Sequence, residues 1–307
     1  RLLANNRTSD LMTLLQRYGT IRIPAFYRQQ AALWNALGKP AVATDSIKKA
    51  MALSKSIGVA ALNERASCLE QLGDTAQAET CYRTAWEQDA TNHDALIGLC
   101  SLALGKRNID EADRWMKAIT AEGVVPDEQR RLAIDLALLK HDPLRAQNLL
   151  KEAIAAHPED ASYWSRLADV LVKQEDALEV ETVLLPEMRK NLSPADLYLP
   201  DAIQGALLCK KGPQFLRKGR LFLLKSLARN AAQPKVWHTL LTNDMGIGDL
   251  AFIESDARTL LSQAPDHVLA NYLMGSVLLS KKQLDSAEDF LRRSVVHQPT
   301  AMACNDL

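Results

Sequence analysis

One internal period constrains this chain more than any other feature. A small or medium apolar residue that closely follows a polar turn recurs at Ala43, Ala78, Ala112, Ala146, Val180, Gly219, Ile253 and Ala287. The successive gaps are 35, 34, 34, 34, 39, 34 and 34 residues. Gly73-Asp74-Thr75-Ala76-Gln77-Ala78, Arg107-Asn108-Ile109-Asp110-Glu111-Ala112 and Lys282-Gln283-Leu284-Asp285-Ser286-Ala287 show the pattern most clearly. Eight full repeats follow from it, starting near Pro24, Val59, His93, Asp127, Ala161, Pro200, Pro234 and Val268. A unit of this length holds two helices and a turn but cannot bury its apolar faces alone, so each copy must be covered by the next. Gly38-Lys39, Gly73-Asp74, His141-Asp142 and Gly248-Asp249 mark turns within a pair, and Pro158, Pro265 and Pro299 mark the joints between pairs. Aromatic residues are only 5% of the chain and Ala and Leu dominate its apolar set, which suits close-packed helices better than sheets.

The core positions of this unit resemble the tetratricopeptide repeat (TPR) family. The family pattern places a bulky residue fourth in the first helix, where Tyr27, Leu62, Leu96, Trp164, Ile203 and Trp237 stand. It places a small residue eighth (Ala31, Ala66, Cys100, Ala168, Gly275) and another late in the second helix (Ala50, Ala85, Ala153, Ser226, Ser294). Arg130 and Asn271 depart at bulky positions, Ile134, Leu207 and Leu241 at small ones, and Glu187 falls where a small residue belongs. The resemblance implies an all-α, right-handed α-α superhelix, or solenoid, of about eight helix pairs. The expected division is a partial repeat over 1–23, repeats one to five over 24–194, an inserted connection at 195–199, repeats six to eight over 200–301, and the start of a further helix at 302–307. Both ends read as cut, as in an interior fragment of a longer protein.

The resemblance also implies a binding surface. In this family the second, fifth, ninth and twelfth residues of the first helix face a concave groove. Carried over residue by residue, that gives Asn63, Ser67 and Glu70 in the second repeat and Glu128, Arg131 and Asp135 in the fourth. The fifth repeat gives Ser162, Ser165 and Asp169, the seventh Lys235, His238 and Thr242, and the eighth Tyr272 and Ser276. Some family members grip a C-terminal carboxylate with a Lys–Asn pair in one repeat and a Lys–Arg pair two repeats on; that combination is missing here. A mixed polar groove suits an extended or helical peptide.

Charge and motifs exclude other classes. With 37 basic and 37 acidic residues, no global field draws the chain to nucleic acid or an anionic membrane. No phosphate-binding glycine loop, HExxH or GxSxG motif occurs. Five cysteines, an odd number without CxxC spacing, read as small buried residues and lean towards a reducing compartment. The expectation is therefore a non-enzyme without cofactor or metal. One local feature interrupts the neutrality: from Ala202 to Asn243 there is no acidic residue, while Lys210, Lys211, Arg217, Lys218, Arg220, Lys225, Arg229 and Lys235 lie in that span. It could dock an acidic or phosphate-bearing partner, with nucleic acid the weaker version because stacking aromatics are few. The plainer reading is a basic face balanced by neighbouring acidic helices. Taken together, the residues point to a protein–protein interaction scaffold, with a recruitment arm of a larger enzyme such as a glycosyltransferase, or a bacterial envelope or polysaccharide-export assembly protein, as alternatives.

Overall fold

The computed structural model describes residues 23–36, 39–53, 58–120, 127–298 and 301–307. The partial repeat expected over 1–23 thus lies outside the described residues save for Ile23, as do Gly38 and Pro299. All regular structure among the described residues is helical. The chain divides into two compact units, Arg1–His157 and Pro158–Leu307.

In the first unit α1 (Pro24–Ala36) packs on α2 (Pro40–Leu53), and α3 (Val59–Gln71) on α4 (Thr75–Gln88). Next, α5 (His93–Gly105) packs on α6 (Ile109–Thr120) and α7 (Asp127–Leu139) on α8 (Pro143–Ala156). The second unit opens with α9 (Ala161–Lys173) and a broken partner made of α10 (Ala177–Glu179), a π-helical turn over Val180–Leu184 and α11 (Leu185–Asn191). There follow α12 (Tyr198–Lys211) with α13 (Leu216–Arg229), α14 (Pro234–Ile247) with α15 (Leu250–Gln263), and α16 (Val268–Ser280) with α17 (Leu284–His297). A last helix, α18 (Ala301–Asp306), rests on α17. All eight anchor residues of the period are buried. Around them Leu96, Leu99, Trp115 and Ile119 fill one core, and Leu223, Leu240, Leu241 and Met274 another.

Five of the turns within pairs share one geometry. Gly73, Arg107, His141, Glu175 and Lys282 all take left-handed backbone, with φ of 82, 56, 55, 63 and 60°. In each case the next residue returns its N–H to a carbonyl five residues back: Asp74 to Leu69, Asn108 to Ala103, Asp142 to Ala137, Asp176 to Leu171 and Gln283 to Leu278. That bond closes the helix in a Schellman turn. The same next residue then opens the second helix, because the side chains of Asp74, Asn108, Asp142 and Asp176 accept from the N–H three residues on. Glycine is thus dispensable here, at a cost in strain.

Three departures from the family pattern have local causes. Pro186 has no N–H to return to Thr182, and the backbone before it widens into the π turn, where the Leu185 N–H reaches Val180. The extra residue shifts the helix face by one, so Met188 is buried and Glu187 points to solvent. In the sixth repeat the first helix starts at Tyr198, absorbing two of the inserted residues. Gly205, not Leu207, therefore meets the second helix closely: a Cβ on Gly205 would stand 2.8 Å from Leu223, as one on Gly275 would stand 2.7 Å from Leu291. Asn271 replaces a bulky residue because its amide donates to the Pro265 carbonyl at 2.8 Å. The indoles of Trp164 and Trp237 make the same bond, to Pro158 and Ala231, at 2.8 and 2.9 Å.

Candidate functional site

In the first unit, the first helices of four successive pairs converge on a cavity of about 590 Å3. Residues three and four apart share a helix face, so each helix offers a short row to it. From α3 come Asn63, Ser67 and Glu70, and from α7 Glu128 and Arg131, all in the carried-over set. Asp135, also in that set, does not line the cavity; it is half-buried, and its charge helps burial push the Cys100 thiol up to about 12.

Several of these groups are held by neighbours. The Arg28 guanidinium of α1 stands 2.6 Å from Glu64 and donates to the Ser67 hydroxyl at 2.6 Å. The Asn63 amide donates at 2.7 Å to Asn92, whose side chain also caps α5. Tyr82 belongs to a second helix yet reaches the cavity and donates to Glu70 at 2.8 Å. It can do so because Gly98 leaves room: a Cβ there would stand 2.4 Å from the phenol ring. Burial raises the Glu70 carboxyl above its ordinary value, against the opposing hydrogen bond from Tyr82. Burial also raises the Tyr82 hydroxyl, and the nearby charges of Glu70 and Asp94 add to the effect.

Arg28, Glu64, Tyr82, Asp94 and Ser101 line the same cavity and were not among the carried-over residues. Arg28, Asp94 and Ser101 were within reach of sequence reasoning, since they hold the fifth, second and ninth positions of first helices in repeats one and three. Tyr82 gave no such signal, because its route to the cavity depends on a glycine in another helix.

The second unit distributes its carried-over residues differently. His238 and Tyr272, with His267, Met245 and Val268, line a separate cavity of about 470 Å3. Lys235 and Thr242 are exposed outside it, Thr242 bonding back to the His238 carbonyl, while Ser276 bonds back to Tyr272. The Tyr272 hydroxyl donates to Asp306 of α18 at 3.0 Å. On α9, Ser162 is drawn to Asp160 at 2.6 Å, Ser165 is half-buried and Asp169 is exposed.

The basic span is largely occupied from within. Asp201, 2% exposed, accepts from Arg189 at 2.9 Å and is approached by Lys225 and Arg229 at 3.4 and 3.7 Å. Lys211 pairs with Glu181 at 2.6 Å, and Arg217 lies over the Phe252 ring. Arg220 reaches two buried carboxylates, Asp244 at 3.0 Å and Asp256 at 2.6 Å, and stacks 3.9 Å from Phe252. Lys210 and Lys218 are exposed. Arg220 also inverts a repeating rung. In four repeats the residue after the anchor is acidic (Glu79, Asp113, Glu181, Glu254) and pairs with a lysine at the end of the next first helix (Lys106, Lys140, Lys211, Lys281). After Gly219 the sign is reversed, and Ile247 stands where the lysine would be.

Burial pushes Asp244 up to about 7, reinforced by its hydrogen bond with Asp256 and that neighbour's charge, and opposed by Arg220. Burial likewise raises the thiols of Cys68 and Cys209 to about 11, so neither is a ready nucleophile. Among the described residues no group of three or more His, Cys, Asp or Glu side chains is placed to hold a metal ion. No described helix is long and apolar enough to cross a membrane.

Comparison with known proteins agrees with this architecture. Two tetratricopeptide-repeat family profiles match adjoining stretches, residues 69–132 and 132–179. No curated protein matches the chain in sequence. Among solved structures, a tetratricopeptide repeat protein from Parabacteroides merdae superposes with a TM-score of 0.52 at 16% identity, covering 76% of this chain and 90% of that one. Yeast Tom70 superposes with a TM-score of 0.57 at 15% identity, covering 94% of this chain and 59% of that one. At such identities the structures speak for the fold alone, and the fold, the period and the two profile matches agree: the chain belongs to the tetratricopeptide-repeat superfamily.

Proposed function

We propose that this chain is a non-catalytic scaffold whose first unit holds a peptide segment of a partner protein in the cavity between α1, α3, α5 and α7. One observation carries the reading: polar residues of four first helices converge on a single concave space of about 590 Å3. Its walls are rows of side chains on rigid helices, so an extended or helical segment meets a preformed set of donors and acceptors. In the second unit the exposed Ser162, Asp169, Lys235 and Thr242, the half-buried Ser165, and the exposed cations Lys210 and Lys218 offer further partner contacts.

The test is peptide selection from a randomised display library on the immobilised chain, repeated on Ser101→Arg. Ser101 is exposed at the cavity wall, so the variant blocks the space without touching the core. Selected peptides should bind the native chain and lose about tenfold or more in affinity on the variant. Peptides that bind both equally would refute the assignment.

A further inference from the structure

We infer that the segment held in this cavity is basic, presenting Lys or Arg side chains to the carboxylates of its walls. The inference rests on the peptide-binding reading above. The cavity is lined by four carboxylates, Glu64, Glu70, Asp94 and Glu128, against two guanidiniums, Arg28 and Arg131. Since the whole chain carries no net charge, this excess is local. Arg28 and Glu64 neutralise each other at 2.6 Å. What remains is Glu70, Asp94 and Glu128, one from each of three successive first helices, against Arg131. Burial raises the Tyr82 hydroxyl, and the charges of both Glu70 and Asp94 reach it and add to the effect.

Carboxylates in a concave, partly desolvated wall also repel an acidic segment, so the preference is one of exclusion as well as attraction.

The experiment selects peptides from a randomised display library on three proteins: the native chain, Ser101→Arg, and the double variant Asp94→Lys/Glu128→Lys. Both reversed residues are exposed, so the fold is retained, and circular dichroism verifies it. The expected result is enrichment of Lys and Arg on the native chain, affinity that falls with added salt, and about a tenfold or greater loss on the double variant. Selected peptides lacking a basic bias, yet lost on Ser101→Arg, would overturn the basic preference and leave the peptide groove standing. Peptides indifferent to Ser101→Arg would overturn both.

Discussion

Asp244→Asn tests whether a proton is stored in the second unit. Asp244 is fully buried and shares Arg220 with Asp256, and burial together with that neighbouring carboxylate pushes its carboxyl well above the usual range, up to about 7. A carboxyl whose folded value is raised holds its proton in the native state after the unfolded chain has released it. Its stabilising contribution is therefore full below the unfolded value and is lost as pH rises through 7. One linked proton changes stability by about 1.36 kcal/mol per pH unit, so a loss on the order of 1–2 kcal/mol is expected between pH 5 and pH 8. Asparagine mimics the protonated acid: it can accept from Arg220 and donate to Asp256 at every pH. The variant should match the native chain at pH 5 and exceed it by that amount at pH 8. His267, lowered by burial, works in the opposite direction up to the ordinary histidine range but is common to both proteins and cancels. Glu79, Asp113 and Glu254 are held below the ordinary carboxylate range by their lysine partners, so they act only in more acid solution. Urea titration followed by tryptophan fluorescence reads the difference, and hydrogen exchange in α14 and α15 localises it, because repeat arrays open in segments. Parallel curves for the two proteins from pH 5 to pH 8 would refute the stored proton.

Three other outcomes follow from the geometry. Replacing left-handed Arg107, His141 or Lys282 by glycine should raise stability by about 0.5–1 kcal/mol each, seen as a higher urea midpoint, because the strain of φ near 60° disappears. Gly98→Ala should cost about 1–3 kcal/mol, seen as a lower urea midpoint, and displace the Tyr82–Glu70 bond. Trp237→Phe should cost on the order of 1–2 kcal/mol through the lost bond to Ala231, measured by thermal unfolding.

The repeat, the helix pairing and the turn positions were legible because the period fixes them, and the buried anchors follow it through all eight copies. Register within a helix was legible only where no residue is inserted. Glu187 looked misplaced because the π turn ahead of Met188 leaves no trace in apolar spacing, only a proline. Leu207 looked like a large residue at a small site because the start at Tyr198 moved Gly205 into that role. The cavity wall was half legible: position arithmetic reached Asn63, Ser67, Glu70, Glu128 and Arg131, and also reaches Arg28, Asp94 and Ser101. Tyr82 required knowing that two helices touch at Gly98. The basic span was visible as composition, but Asp201, Asp244 and Asp256, which engage much of it, lie just outside the stretch and are brought in by folding.

The inverted rung at Arg220 gives the array a direction and an address. Four rungs read acid-to-lysine and are interchangeable, so a stack built from them alone would tolerate the loss of one unit. Arg220 is not interchangeable. Excising one period, residues 234–267, would carry away Asp244 and Asp256 and bring Lys281 into the place of Ile247, cation facing cation across a seam that had been neutral. The charges therefore match the sixth repeat to the seventh and would oppose the eighth in its place, a constraint of order that the four acid-to-lysine rungs do not impose.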